Sequence, residues 1–347
     1  MKAVGCYIFA GGFTQGMSKH FKILAHLEQW KFGTDTFKLN FPKIPVYFPP
    51  ETWPIDDLRK KGVQLVYGNP PCAAWSAAGK SMTRGGNNWR TDECVDCTRN
   101  LFELIDKIRP NIWIWESVTR AYTLGRELID DFTQRAFDMG YSVTYFLTNN
   151  ALHGLPQQRK RFHMVVHNVK INFDQPTGPI TTVKEALKGF KNPGRWKPKM
   201  AEGHREVLPG TPEGAAVRPV WDMAHKNPEK YKRKGRVYTR GAPPMLMHKV
   251  DSNKPCSTIT SMLMQVHWNK NRFFTPWEVA HLCGYPLDWQ WSVPPAKIYQ
   301  EAAQAVTPVT GDYLGKMFAK ALKKNRRTKG VLNIVDYRNT IIDGYGH

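Results

Sequence analysis

The stretch from Val63 to Ser76 constrains the fold more than any other part of the 347-residue chain. Val63 to Tyr67 is a short apolar run with the length and composition of a buried strand, and Gly68-Asn69-Pro70-Pro71 ends it abruptly. Such a strand leaves Cys72 at its carboxyl edge, where open α/β sheets place their chemistry. The two prolines stiffen the approach and remove two N–H groups, while Ala73, Ala74, Ser76, Ala77, Ala78 and Gly79 behind the thiol make a hinge of small residues. The arrangement reads as a nucleophile presented on a hinged loop. A buried core cysteine is the alternative, and this segment alone does not decide between them.

The preceding residues read as strand, glycine turn and helix. Val4 to Ala10 is apolar, Gly11-Gly12-Phe13-Thr14-Gln15-Gly16 follows, and Met17 to Trp30 carries Phe21, Leu24, Ala25 and Leu27 at helical spacing. Such a turn brings backbone close to a nucleotide or an adenosyl group and aims helix N–H groups at it; a tight loop with no ligand fits equally well. Thr34 to Phe41 reads as the next strand, ending in Asn40-Phe41, where nucleotide-binding α/β folds hold a ribose. Pro42 to Pro54 contains five prolines, which excludes an ordinary crossover helix, and Glu51 is its one acidic residue.

Beyond the Cys72 loop, Cys94 to Ile108 is helical, with Leu101, Leu104, Ile105 and Ile108 on one face. Asn111 to Trp115 is a central strand that delivers Glu116 to the same edge as Cys72. A carboxylate there is costly unless it is used or paired; offsetting the dipole of a following helix is the competing role. Arg126 to Met139 reads as a helix and Tyr141 to Leu147 as a strand. Gln157, Arg159 and Arg161 then alternate on one face of an extended segment, a fork of donors for a phosphate or carbonyl oxygen, or else a solvated basic edge.

Charge narrows the class of partner. Fifty Lys and Arg against 29 Asp and Glu give a net charge of +21, which favours an extended polyanion such as nucleic acid over a small neutral substrate, with a membrane surface as the competitor. From Val169 to Trp268 periodicity fades, and Lys230, Lys232, Arg233, Lys234, Arg236 and Arg240 cluster among Trp196, Trp221, Tyr231 and Tyr238. That pattern fits backbone contact plus base stacking, or a solvated basic surface. No run of about 18 apolar residues occurs, so neither a span nor a signal peptide is expected, and the chain is placed in the cytoplasm. The six cysteines form no secreted-type framework, and Cys94-Val-Asp-Cys97 lacks the second ligand pair of a zinc site, so no metal is assigned.

Towards the end, Thr275-Pro276 with Glu278 forms a capping box, Gly284-Tyr285-Pro286 closes that helix, and Val309 to Leu322 is a further helix. Val331 to Gly344 reads as one more strand or as disorder. Phe9-Ala10-Gly11, Pro70-Pro71-Cys72 with Ser76, Glu116-Ser117-Val118, Pro156-Gln157 with Arg159 and Arg161, Thr275-Pro276 with Glu278, and Gly284-Tyr285-Pro286 together resemble the ordered motifs of DNA cytosine-5 methyltransferases. The likeness covers residues 4–168 and 255–322.

The resemblance implies a doubly wound, Rossmann-like α/β catalytic domain over residues 1–168, a loop-rich target-recognition domain over 169–268, and a segment, 269–347, that returns to the first. It implies S-adenosyl-L-methionine as cofactor and double-stranded DNA as partner, a monomer acting without membrane, and a restriction or further DNA-modifying enzyme as companion. Cys72 would attack cytosine C6, Glu116 would hold a proton at N3, and Arg159 and Arg161 would grip the base or a flanking phosphate. Phe9, Ala10, Gly11, Gly12, Asn40, Phe41, Glu51, Pro70, Gln304, Ala305 and Val306 would face the cofactor. Ser76, Gln157 and the basic cluster would face DNA.

Departures from the family pattern gather on the cofactor side. The glycine turn is shortened, the ribose-binding acidic residue falls on Asn40, and a cofactor-facing Asn becomes Gln304. These changes leave open a modified donor that adds a different group. RNA cytosine methylation, a DNA-binding protein without catalysis, and amino-methyltransfer through Asn69-Pro70-Pro71 are the other readings.

Overall fold

A computed structural model describes residues 1–76, 88–176, 179–196, 208–217, 247–261 and 265–340. The first half of the chain builds β1 (Lys2–Cys6), α1 (Gly12–Met17), β2 (Lys22–Leu27), α2 (Thr34–Asn40), β3 (Val46–Tyr47), α3 (Ile55–Lys60), β4 (Leu65–Gly68) and α4 (Glu93–Ile108). Next come β5 (Ile112–Val118), α5 (Thr119–Leu124), α6 (Arg126–Asp138), β6 (Ser142–Asn149), β7 (Gln157–Gln158) and β8 (Lys160–His167). The remainder supplies α7 (Val183–Ala186), β9 (Ala216–Val217), β10 (Met247–Lys249), β11 (Cys256–Ser257), β12 (Gln265–Val266), α8 (Pro276–Leu282), α9 (Pro295–Gln304), α10 (Pro308–Lys324) and β13 (Leu332–Asp336).

One eight-stranded sheet, in the order β13-β6-β8-β5-β4-β1-β2-β3, forms the centre. β1 to β5 are mutually parallel, and β8 is inserted antiparallel between β5 and β6. Parallel strands covered on both faces read as continuous apolar runs, and Ile112-Trp113-Ile114-Trp115 shows why. Successive side chains point to opposite faces. Trp113 and Trp115 enter one core layer with Leu101 and Phe102 of α4 and Phe132 of α6, whereas Ile112 and Ile114 enter the other with Phe13 of α1 and Leu314 and Phe318 of α10. α10 thus packs on the second face of the sheet, and β13 adds a parallel edge strand beside β6.

Two elements of the amino-terminal half differ from expectation. Met17 to Trp30 is not one helix: α1 stops at Met17 and Lys22–Leu27 is the second strand, paired with β1. Thr34–Asn40 is a helix where a strand was expected. Gly33, at φ 76°, turns the chain into α2, and Asp35 sits favourably in its first turn. The first strand also ends early, at Cys6, because Tyr7 and Phe9 adopt left-handed φ values of 56° and 53°.

The region expected as a separate lobe contributes a small sheet, β12-β10-β9, with its own core of Leu208, Val217, Val266 and Phe273. Val169 and Ile171 pack into the catalytic domain beside α10. β11 pairs with β7, which brings residues 256–261 against the catalytic edge. The capping box at α8 is present, with the Thr275 hydroxyl accepting from the Glu278 N–H (3.1 Å) and the Glu278 carboxylate accepting from the Thr275 N–H (2.8 Å).

Candidate active site

Sheet register places the acidic centre. Gly68 of β4 stands opposite Trp115 of β5, so the next residues, Asn69 and Glu116, meet just beyond the strand edge. The Asn69 amide donates to Glu116 Oε2 at 2.6 Å. On the other side of β5, antiparallel β8 sets Arg161 opposite Val118, two residues beyond the Glu116 partner and on the same face. Arg161 Nε lies 3.0 Å from Glu116 Oε1. Both carboxyl oxygens are therefore fixed from opposite sides. Burial raises the Glu116 pKa, and the Arg161 and Arg159 charges offset only part of that rise.

The Cys72 loop is anchored on its far side. The Cys72 carbonyl accepts from the Trp75 N–H (3.0 Å) and the Ser76 N–H (2.9 Å), and Trp75 is wholly buried beside Trp89 and Trp115. The half-buried thiol shares a cavity of about 450 Å³ with Glu116, Arg159, Arg161, Pro70 and Ser76. Burial pushes the thiol pKa up, while the Arg161 charge pulls it down, Glu116 pushes it up again, and Arg159 lowers it. Burial wins, so the resting group is the protonated thiol, and it becomes a nucleophile by losing its proton.

Arg159 has a double position. Its guanidinium donates to the carbonyls of Ile259 (3.3 Å), Ala303 (2.8 Å) and Ala305 (3.2 Å), stitching the returning segment to the catalytic edge. Burial and the nearby Arg161 charge lower its pKa to about 10. Arg159 Nε and Asn69 Oδ1 are buried with no partner among the described residues, one donor and one acceptor in the lining of the same cavity. Unpaired polar atoms of this kind cost stability unless a ligand completes them.

The cavity continues to the end of β1. Gly11, at φ 94°, caps α1, and a Cβ on Gly12 would come within 2.4 Å of the Val306 carbonyl, so this glycine lets the turn touch the returning segment. Ala10 is buried in the turn and Ala305 and Val306 behind it, while Phe9 and Gln304 line the cavity. Three expected cofactor contacts lie elsewhere. Asn40 belongs to α2 and ties it to the Gln290 backbone, donating at 2.8 Å and accepting at 3.0 Å. Phe41 packs under Gly11 against Phe37 and Trp289. Glu51 is exposed on a 3-10 turn, Pro50–Thr52, outside the cavity lining.

Glu28 takes the place expected for Asn40. It follows β2 directly and is buried; its Oε1 accepts from the Phe9 N–H at 3.2 Å and lies 2.9 Å from His26 Nε2. No described residue bonds its Oε2. Trp30 and Phe32 follow, both in the cavity lining and both more than a third exposed. Large aromatic side chains left open at a cavity are stacking surfaces. The signal was present in the sequence as Glu28-Gln29-Trp30, 17 residues beyond Gly11, hidden by the misread helix.

On the base side, Gln157, expected to face DNA, points inward. It is fully buried, accepts from the Ile259 N–H (3.0 Å) and reaches Leu282 O and Cys283 Sγ, so it holds β11 and α8 to the catalytic edge. Thr258 to Ser261 form the cavity wall facing Cys72, a contribution unread in the sequence. Lys230, Lys232, Arg233, Lys234, Arg236 and Arg240 lie outside the described residues.

The sequence pattern of the C-5 cytosine-specific DNA methylases matches residues 5–320. The chain belongs to that family. It is 25% identical over 331 residues to the type II methyltransferase M1.HphI of Haemophilus parahaemolyticus, covering 91% of this chain and 84% of that one. Against the type II methyltransferase M.HindV of Haemophilus influenzae it is 28% identical over 182 residues, 51% of this chain and 57% of the relative. A DNA modification methyltransferase encoded within an E. coli prophage superposes with a TM-score of 0.64 at 15% identity, over 93% of this chain and 99% of that one. The Dnmt2 methyltransferase of S. pombe superposes at 0.59 and 14% identity, over 93% and 99%. At these identities the superpositions show the shared fold.

Proposed function

We propose that this methylase-family chain methylates C5 of cytosine in double-stranded DNA, with Cys72 as nucleophile and S-adenosyl-L-methionine as donor. The observation that carries the proposal is Glu116 held between Asn69 and Arg161 in the cavity that also holds Cys72. C5 of cytosine is a weak nucleophile. Addition of the Cys72 sulfur to C6, with a proton held at N3 by Glu116, moves an electron pair towards C5 and makes that carbon reactive. The raised Glu116 pKa favours the protonated acid this step needs. Arg161 orients the carboxyl, and the unpartnered Arg159 Nε is a donor for the base carbonyl. Loss of the C5 proton and departure of the sulfur restore the aromatic ring.

C6 is unreachable in a stacked duplex, so the base is taken out of the helix into the cavity. The donor supplies an electrophilic methyl carbon when bound. The residues present fit it: the backbone turn at Phe9 to Gly12, the Glu28 carboxylate for a ribose diol, Trp30 and Phe32 for a purine, and the unpartnered Asn69 Oδ1 for an N–H. Trp30→Ala is expected to weaken S-adenosylmethionine binding about 5- to 100-fold, the size of one lost aromatic stacking partner. Glu51→Gln is expected to leave it unchanged. Titration calorimetry on both variants checks this, and equal effects would remove the donor from the Trp30 wall.

The test of the function is nucleoside mass spectrometry on DNA from a host without cytosine methylation that expresses the chain or its Cys72→Ala form. Cytosine heavier by one methyl group with the intact chain alone is the expected result. Unmodified DNA from folded protein would turn the reading to RNA or to binding. A different added mass would mean that the Gln304 side of the cavity takes another donor.

A further inference from the structure

A second cavity, of about 350 Å³, lies on the outer side of α10, between that helix and the chain leaving β8. It shares no lining residue with the catalytic cavity. β8 sets Arg161 beside Glu116 at one end and His167 opposite Ile112 at the other, so the wall that begins at Lys170 is separated from the catalytic edge by the length of that strand, about 20 Å. Lys316, Lys320 and Lys324 recur every four residues along one face of α10, spanning about 12 Å. Lys170 and Arg326 face them, and Asp174 is the one acidic residue in the lining.

The charges here are unpaired. Among the described residues none of these five cations forms an ion pair, whereas Lys19, Lys61, Arg99, Arg126 and Arg135 each have a carboxylate partner. Like charges at four-residue spacing oppose helix formation by about 0.2–0.5 kcal/mol per pair. The helix dipole compensates Lys324 in the last turn; Lys316 and Lys320 lie further in, where that effect has faded. The walls are fixed by bonds that do not use the charges. The Lys170 N–H donates to Arg326 O (2.6 Å), Tyr313 Oη to Asp174 O (2.8 Å) and Tyr337 Oη to Phe173 O (2.7 Å). The result is a preformed cleft with ammonium groups left for an external anion.

We infer that this cleft binds the phosphate backbone of a second DNA segment, distinct from the one whose base enters the catalytic cavity. Lysine ammonium groups are point charges suited to backbone contact without base reading. Their span of about 12 Å matches three to four successive phosphates of one strand. The inference rests on the proposed DNA substrate, and its role is retention on long DNA: a duplex held at α10 stays with the enzyme while the catalytic cavity releases one site and takes the next.

The test compares the full-length protein with a Lys316→Gln, Lys320→Gln, Lys324→Gln variant on a short duplex of about one helical turn and on a duplex of several hundred base pairs. Turnover and affinity on the short duplex are expected to stay within twofold. On the long duplex at 0.1 M salt, affinity is expected to fall about tenfold or more, and the slope of log K against log salt to flatten by about 2 to 3, near 0.9 per lost phosphate contact. An unchanged long-duplex slope overturns the inference, as does an equal loss on the short duplex, which would assign these lysines to the catalytic contact. Loss of binding to phosphatidylserine vesicles with the long-duplex slope intact would assign the face to a membrane and overturn it too. The binding comparison holds whether or not the protein methylates DNA, so failure of the proposed reaction is seen separately, as absent turnover in the parent chain.

Discussion

Cys72→Ala is expected to lower methyl transfer to duplex DNA by about 10⁴-fold or more, since removal of a covalent nucleophile leaves only binding and electrostatic contributions. Affinity for the same duplex is expected to stay within a few-fold. The loop that carries the residue is held by Trp75 and by the Cys72 carbonyl, neither of which the substitution touches. Transfer of labelled methyl groups to a cytosine-containing duplex, measured beside a binding isotherm, separates the two effects. Activity close to that of the parent would remove Cys72 from the chemistry, and joint loss of binding and activity would make it a structural residue. The other five cysteines supply a control. Cys6, Cys97, Cys256 and Cys283 are buried away from the cavity lining, and Cys94 lies at the start of α4, so alanine at Cys94 is expected to leave transfer unchanged.

Glu116→Gln is expected to lower the rate near neutral pH by about 10²- to 10⁴-fold, the range for loss of a positioned acid. It is also expected to change the shape of the pH profile. The reactive form needs Cys72 deprotonated and Glu116 protonated. Burial raises both pKa values. The two ionisations oppose each other, so the parent rate rises with pH up to the lower of the two pKa values, is flat between them and falls beyond the higher. With glutamine the acid limb has no counterweight, and the residual rate is expected to climb about tenfold per pH unit until the thiol titrates. Single-turnover rates across pH show which form holds. A parent profile that climbs with pH as the variant's does, with no flat region, would mean that Glu116 has no proton to hold and serves only to position Arg161.

The site was legible where its chemistry is local. Gly68 to Cys72 announces a strand end with a thiol, and Glu116 follows an unmistakable buried strand. What links them was not, because the Asn69–Glu116 bond joins residues 47 apart and depends on the register of β4 and β5. By alternation Arg159 read as part of a fork of donors for a phosphate or carbonyl oxygen, or of a solvated basic edge. Its grip on Ala303 and Ala305 arises only when the returning segment closes over the edge, about which local pattern says nothing. Lys22–Leu27 was misread for a different reason. In a strand buried on both faces, a short apolar run fits helical spacing as well as alternation, and Phe21, Leu24, Ala25 and Leu27 satisfied the helix. That one error put the end of the second strand at Asn40, whereas the residue that follows the strand is Glu28. The β-branched Thr34 and Thr36 reinforced it by making a helix look extended, although Gly33 and Asp35 mark a helix start. Gln157 shows the limit of alternation: it shares a spacing with the arginines and turns inward, where α8 and β11 meet.

The measurement that bears most directly on Cys72 as the atom that adds to cytosine C6 is trapping on a duplex with 5-fluorocytosine at the target position. Fluorine at C5 cannot leave as a proton, so the sequence of addition and transfer stops before the sulfur departs. With S-adenosylmethionine present, a protein–DNA complex that survives denaturation is expected, and peptide mass mapping is expected to place the link on Cys72. No denaturation-stable complex from a protein that binds both duplex and donor, or a link mapped to another residue, would contradict the assignment.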